Sequence, residues 1–263
     1  MIDLHGHYLP AVDDGPADLD VSLAMLRYAE GDGIETAVVT PHACSSLCRI
    51  KDLELMRRNW QDFLAAVNSS DLQIHIVSGA EVYFTSELLP ILKDNRDLLT
   101  INNGSYFLLE FPGEYIYAHS KDFIFNILTE GFIPIISHAE RNAEIQRSPQ
   151  VLFDLVKAGA LCQVNAGSLR GDFGNQARSC AYELIQGNLV HVIASDAHDL
   201  EGRKPELAYV PALLPQVDPE KIALYLHDIP AAVIADQAVP DIGEPLLNQP
   251  RRTFFDFFKK RDS

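Results

Sequence analysis

The sequence predicts a single-domain α/β fold, a distorted TIM-like (βα)7 barrel, on three observations: short apolar runs recur, amphipathic stretches lie between them, and the runs end on polar side chains. Seven runs read as strands: Met1 to Leu4, Thr36 to Thr40, Leu72 to Val77, Tyr106 to Leu109, Phe132 to Ile136, Ala160 to Val164 and Val190 to Ala194. They are β-branched and continuous rather than alternating, as in strands of a parallel sheet covered on both faces. Between them, Leu19 to Glu30, Asp52 to Val67, His119 to Glu130, Pro149 to Lys157 and Gln176 to Gln186 space their apolar residues three and four apart, the pattern of helices with one buried face. Gly33, Gly131, Gly159 and Gly187 follow four of these stretches and are expected to end helices with a positive φ. Beyond about Ile234 the pattern thins into a Pro-containing segment. The expected division is a barrel over 1–236 and a basic-aromatic tail over 237–263.

Composition narrows the class. The 263 residues carry a formal charge of −16 with 47% hydrophobic residues, which suits a soluble globular protein and disfavours nucleic acid as a partner. No run approaches the ~18 apolar residues of a membrane helix. Four cysteines, no basic apolar leader and a chemically useful start, MIDLHGH, predict a native N-terminus and a reducing cytoplasm.

The strand ends carry the functional signal. His5 and His7 follow the first run, His42 the second, Glu81 the third, Glu110 the fourth, His138 the fifth, Asn165 the sixth, and Asp196 and His198 the seventh. Barrel strands converge on one rim at their carboxyl ends, where such folds place their chemistry. His5-x-His7 and Asp196-x-His198 each aim two side chains the same way, because strands have a period of two. In a closed barrel the two pairs would face each other. With Asp14, the set is five histidines and four carboxylates, too many donors for one ion and free of any competing Cys-x-x-Cys pattern. Three divalent ions among four carboxylates and a bridging hydroxide leave a net charge of about +1, which favours a dianion such as a phosphate monoester. Arg141 and Arg203 lie close by in sequence with guanidinium forks suited to phosphate oxygens. Asn165 reads equally well as a structural residue or as support for a ligand. Tyr8, Tyr83, Tyr115 and Tyr117 are rim candidates for substrate contact, and His75, His119, His191 and His227 read as structural.

Thiol and hydroxyl nucleophiles are poorly served. A cysteine-dependent phosphatase loop needs Arg six residues after Cys, but Cys44, Cys48, Cys162 and Cys180 are followed there by Ile50, Glu54, Ser168 and Gln186. No G-x-S-x-G elbow, Walker loop or G-x-G-x-x-G fingerprint occurs.

The ordered motifs MIDLHGH, DDGP (Asp13 to Pro16), TPH at His42, GAEVY, LLEF, SHAERN, QVNAGS and HVIASDAH, followed by GR at Arg203, resemble the polymerase and histidinol phosphatase (PHP) superfamily. Within it they are most similar to the bacterial metal-dependent protein tyrosine phosphatases; histidinol phosphatases usually carry a Gly-Ser-Val-His stretch where this chain has Leu-Leu-Glu. The resemblance implies three divalent ions: one held by His5, His7, Glu81 and Asp196, a second by Glu81, Glu110 and His138, a third by Asp14, His42 and His198. Manganese is the expected metal, with iron, cobalt and zinc as alternatives. It further implies that Arg141, Arg203 and His42 act in catalysis, the arginines on the phosphate, with water made nucleophilic by the metals and no phosphoenzyme formed. The implied partner is a phosphotyrosine protein, a membrane-linked bacterial tyrosine kinase controlling capsule or exopolysaccharide synthesis. Alternatives are a phosphatase or phosphodiesterase of a small metabolite such as histidinol phosphate or a nucleotide, or a non-catalytic metal-binding regulatory module. The tail 250–263 has five basic and two acidic residues interleaved with four phenylalanines, a candidate for peripheral membrane or kinase contact in a chain expected not to span a membrane.

Overall fold

The computed structural model describes residues 1–44 and 53–247. Cys48 and the basic-aromatic segment 250–263 lie outside the described residues. Among the described residues nine short strands occur, all paired in parallel: β1 (Ile2–Gly6), β2 (Thr36–Val39), β3 (His42–Ala43), β4 (His75–Ser78), β5 (Glu81–Tyr83), β6 (Tyr106–Glu110), β7 (Ile133–Ile136), β8 (Leu161–Asn165) and β9 (Val192–Ala194). They pair in the orders β1-β2-β4 and β3-β5-β6-β7-β8-β9. Two of the seven expected strands, Thr36 to Thr40 and Leu72 to Val77, are therefore each followed by a second short strand, β3 and β5, that carries the polar residue. Pro41 separates β2 from β3 and offers no N–H to the ladder. Gly79 separates β4 from β5, and a Cβ there would meet Val38, Thr40 and Ile101 at 3.2–3.3 Å. The breaks lie side by side, bridged by Gly79 N–H to Val39 O and Glu81 N–H to Pro41 O, both 3.0 Å. On the other side, Asp196 N–H donates to His5 O and His7 N–H to Ala197 O, both at 2.8 Å. The first and last strands are thus neighbours, and the strands follow one another around a ring.

Helices connect them: α1 (Leu19–Gly31), α2 (Leu53–Ser69), α3 (Leu88–Asp94), α4 (Arg96–Leu99), α5 (Ser120–Thr129), α6 (Ala143–Arg147), α7 (Gln150–Lys157), α8 (Ala166–Arg170), α9 (Gly174–Gln186), α10 (Val210–Leu213), α11 (Pro219–Ala223) and α12 (Ile229–Ile234). The five stretches with the helical period form α1, α2, α5, α7 and α9. The shorter helices escape sequence reading because four to seven residues hold too few apolar positions to show a period. Gly33, Gly131 and Gly159 have positive φ as expected. Gly187 differs: its φ is −81° and Asn188 takes the left-handed position instead. Gly187 is small because residues 237–247 cross there; Leu246 N–H donates to its carbonyl at 2.7 Å, and a Cβ would lie 2.6 Å from Leu246 O. No described helix is long and apolar enough to cross a membrane.

Strand alternation sorts the apolar residues into two clusters. Leu4, Val38, Val77, Leu108, Ile135, Leu161, Val192 and Ala194 meet inside the ring, plugged by Ile229 and Val233 of α12. Ala37, Val39, Phe107, Leu109, Ile136, Val164 and Ile193 instead pack outward with the helices. This inner series sets the aim of the site residues. Glu110 stands two residues after Leu108 on β6 and inherits its inward direction, and Glu81 and His42 share that face through the pairings Glu81↔Leu108 and His42↔Glu81; Asp196, past the end of β9, is aimed by its left-handed backbone. β1 keeps Leu4 inside and still turns His5 toward the site because its register shifts between Asp3 and Gly6. Tyr8 is no rim residue: it is fully buried, its hydroxyl donating to Asp3 Oδ2 at 3.0 Å.

His191 is the buried histidine outside the site. Burial pulls its pKa down to about 4, and its Nδ1 accepts the Cys162 N–H at 3.2 Å, so folding favours the neutral ring. The unfolded chain binds that proton near the ordinary pKa of about 6.5, so stability should fall as pH drops from about 6.5 to 4 and level off below, by up to ~3 kcal/mol for this group. Urea unfolding at pH 7 and pH 4.5 should show a smaller acid loss in His191→Asn than in the wild type.

Candidate metal centre and active site

The nine side chains expected at the strand ends come together on one rim. Glu81, fully buried, is the hub: its carboxylate oxygens lie 3.5 Å from His5 Nε2, 3.5 Å from His7 Nε2, 3.1 Å from His42 Nδ1 and 2.8 Å from His138 Nε2. Asp196 Oδ1 is 3.4 Å from His5 Nε2 and 3.6 Å from His7 Nε2. Asp14 Oδ1 lies 3.5 Å from His42 Nε2 and 3.3 Å from His198 Nε2, and Glu110 Oε2 lies 3.4 Å from His42 Nδ1. The His5-x-His7 and Asp196-x-His198 pairs do face each other, the rings of His7 and His198 stacking at 3.8 Å between centroids.

The donors fit divalent cations. Glu81 Oε1 and Oε2, Asp196 Oδ1, His42 Nδ1 and His198 Nε2 are buried without a hydrogen-bond partner, a costly arrangement unless another charge serves them. Donors around one ion at about 2.1 Å stand roughly 3.0–3.4 Å from one another, close to the separations here. Among the described residues, three groups have ligand atoms all within 4.8 Å of one another: His7, Asp14, His42 and His198; His5, His7 and Glu81; and His42, Glu81 and Glu110. They overlap the three sets implied by resemblance and differ in detail. His42 reaches two groups, whereas His138 Nε2 lies 2.8 Å from Glu81 Oε1 and 3.9 Å from Glu110 Oε1.

In the metal-free chain, imidazolium charge serves the buried carboxylates. Burial opposes a charge on His7, but bonds to Asp13 and Glu81 prevail and lift its pKa to about 9. His42 behaves likewise, burial being outweighed by Glu110 and Glu81, and rises to about 11. Conversely, burial works against ionisation of Glu81, yet the surrounding histidines hold it well below the carboxylate range. The described thiols are unsuited to nucleophilic work: burial raises Cys44 to about 11 and Cys180 to about 12.

Arg141 and Arg203 stand at the mouth, both donating to Asp196 Oδ2, Arg141 Nη1 at 3.0 Å. Phe173 supports them, its centroid 4.4 Å from Arg141 Cζ and 5.9 Å from Arg203 Cζ. Two residues in the site have positive φ, His138 at 32° and Asp196 at 54°, the kind of strain that persists only where surroundings enforce it.

Four supporting residues escape sequence reading in whole or part. Asp13 Oδ2 accepts His7 Nδ1–H at 2.8 Å and the His42 N–H at 2.9 Å, leaving His7 Nε2 to face Glu81. Its signal was the doubled acid of DDGP. Gln163 Oε1 accepts the His138 N–H at 2.8 Å, which fixes the amide, and also His5 Nδ1–H at 3.2 Å. Gln163 Nε2 donates to Asn165 Oδ1 at 2.8 Å, and Asn165 Nδ2 to Asp196 Oδ2 at 2.7 Å. A backbone amide thereby sets the polarity of the whole chain from His5 to Asp196, and Asn165 is resolved as a support for Asp196. The signal for Gln163 was a polar residue two before Asn165, on the inner face of β8. Glu140 is buried beneath, accepting from Ser168 Oγ at 2.5 Å and Asn165 N–H at 3.1 Å; nothing in its spacing distinguishes it from a surface acid. Tyr115 and Tyr117 are exposed, and Tyr83 is half-buried on β5 opposite Glu110.

Comparison with known proteins agrees with this geometry. A family model described as capsular polysaccharide synthesis, CpsB/CapC, matches residues 1–225. The chain is 31% identical to the tyrosine-protein phosphatase YwqE of Bacillus subtilis (strain 168) over 258 residues, 98% of this chain and all of the relative. It is 34% identical to the putative tyrosine-protein phosphatase CapC of Staphylococcus aureus over 203 residues, 77% of this chain and 79% of the relative. A solved structure from work on YwqE and Streptococcus pneumoniae CpsB, described as unique metal-dependent tyrosine phosphatases, superposes with a TM-score of 0.85 at 30% identity, covering 94% of this chain and all of that one. An organophosphorus hydrolase of Deinococcus radiodurans shares the fold alone, at a TM-score of 0.54 and 13% identity over 88% of this chain and 91% of that one.

Gln163→Leu keeps the bulk of the side chain and removes both of its hydrogen-bonding ends. Calorimetric titration with Mn2+ should show affinity reduced about 10–100-fold; wild-type affinity would mean that the amide does not position His5 and Asp196.

Proposed function

The chain belongs to the capsular polysaccharide synthesis family CpsB/CapC, and from that premise we propose that it is a metal-dependent tyrosine phosphatase that hydrolyses phosphotyrosine in proteins. The observation that carries this reading is the set of buried, unpartnered donor atoms on Glu81, Asp196, His42 and His198, with two arginines at its mouth. His5, His7, Glu81 and Asp196 would hold one ion, Glu81, Glu110 and His138 a second, and Asp14, His42 and His198 a third. Imidazole and carboxylate donors accept manganese, iron, cobalt and zinc alike; manganese is the ion we infer from the family resemblance, with the other three as alternatives. Divalent ions bound there supply Lewis acidity, lowering the pKa of water and offsetting charge on the phosphoryl oxygens.

The chain's own groups do the rest. Arg141 and Arg203 bind two phosphoryl oxygens, exchanging part of their contact with Asp196 for the incoming dianion. Phe173 keeps both guanidinia in place as they turn. Asp13 and Gln163 hold the proton on the Nδ1 atoms of His7 and His5, so both Nε2 atoms face inward. Water attacks phosphorus, the P–O bond to the phenol breaks, and tyrosine and inorganic phosphate leave. A phenol, with a pKa of about 10, departs without a strong general acid, and with the described thiols raised by burial, transfer goes in one step.

The substrate we infer is a bacterial tyrosine kinase of the capsule or exopolysaccharide machinery, met in the cytoplasm, and the basic phenylalanine-rich sequence over 250–263 is a docking segment for it. The relatives' names and the family description support the capsule link. Hydrolysis of a phosphotyrosyl peptide should exceed that of histidinol phosphate and of a nucleotide diester. Chelation should abolish it and Mn2+ restore it. Arg141→Ala should lower kcat/KM by about 100-fold or more, and His42→Ala by a similar factor. Preference for either non-peptide substrate, or full activity in chelator, would refute the reading.

A further inference from the structure

A cavity of about 130 Å3 opens beside the site. Phe111, Ile116, Ile136 and Ile145, all buried, give it apolar walls. Glu110, His138 and Arg141 line it too, so it is continuous with the candidate metal centre. It is also rigidly built. Asn142 Nδ2 donates to Pro112 O at 2.8 Å, Ala143 N–H to Gly113 O at 2.7 Å and Ile116 N–H to Glu144 Oε2 at 2.7 Å. The loop after β6 is thereby pinned to α6, and the space exists before any ligand arrives.

We propose that this cavity receives the phenyl ring of the phosphotyrosyl substrate while the phosphate meets Arg141 and Arg203. The inference rests on the tyrosine-phosphatase reading above and adds what selects the substrate. An apolar cavity of about 150 Å3 lined by Leu, Ile and Phe is enough to take benzene, so this one suits a single six-membered ring and is too small for a nucleoside. Arg141 belongs to both the cavity wall and the phosphate-binding pair, which ties ring position to phosphate position. A phosphoserine side chain has no group to fill the space and forgoes that burial. Selection for tyrosine thus comes from the loop Phe111–Ile116 and from Ile136 and Ile145, outside the metal centre.

Gly113 provides the test. It lines the cavity, its backbone is not left-handed, and a Cβ built on it meets no heavy atom within 4 Å. Gly113→Leu should therefore fold with an unchanged thermal midpoint and add bulk at the cavity's exposed edge, where the ring would enter. With the Mn2+-loaded enzyme, kcat/KM for a phosphotyrosyl peptide should fall about ten- to a hundredfold, mainly through KM. The Ki of inorganic phosphate, which carries no ring, should stay within about threefold. Ile116→Ala, which removes one wall, should raise the peptide KM several-fold, again with the phosphate Ki unchanged. A wild type inactive on the peptide would sink the phosphatase reading itself. An active wild type with an equally active Gly113→Leu, or a phosphate Ki that worsens in step with the peptide KM, would overturn the cavity assignment alone.

Discussion

Glu81 and Asp196 are carboxylates buried to the last atom, and the protein surrounds them with imidazoles rather than with lysine or with arginine on every side. Burying an ionised carboxylate is tolerable only beside compensating charge. Asp196 has Arg141 and Arg203 on one oxygen; the ion-pair partners of its other oxygen and of both oxygens of Glu81 are histidines. In the metal-free chain, protons on His7 and His42 provide that charge. Divalent ions provide it better, because each meets several donors at once, and the spacing of those donors is already close to what one ion would impose.

The barrel delivers this concentration of charge by simple means. The period of two along each strand carries the inward direction of an apolar residue to the polar residue at the rim, so packing the interior aims the site. Where regular pairing would aim badly, the backbone departs from it: at Pro41 and Gly79, at the shift in β1, and at the left-handed His138 and Asp196. Stability and function meet here, since α12 and the inner apolar cluster close one end of the ring and leave the other to donors that could not sit in a hydrocarbon core.

Support around the donors is as ordered as the donors. Asp13 behind His7, and Gln163 with Asn165 behind His5 and Asp196, settle which nitrogen or oxygen is free to face inward. Their bonds begin at backbone amides, whose polarity is not adjustable, so the ring tautomers are set by the fold. Beside them, the loop after β6 and α6 enclose an apolar space that Arg141, proposed to bind phosphate, also lines. A metal centre alone handles phosphate esters generally; shape next to it gives a preference among them.

Much of this is legible in one dimension. The strand-end residues His5, His7, His42, Glu81, Glu110, His138, Asp196 and His198 stand out because barrel strands all end on one rim, so sequence order maps onto spatial assembly, and the five longer helices announce themselves by period. Tyr8 misleads, because a tyrosine after a strand end reads as a rim residue until Asp3 is seen to hold its hydroxyl in the core. Gln163, Glu140, Phe173 and the cavity by Ile116 leave almost no trace, since their roles depend on contacts between segments far apart in the chain. The sequence by itself determined the fold class, the donor chemistry and the reaction type, because these follow from residue types at local spacings. Tertiary structure alone decided which oxygens lack partners, how each imidazole is turned and what shape adjoins the phosphate, because those depend on distances that no local spacing encodes.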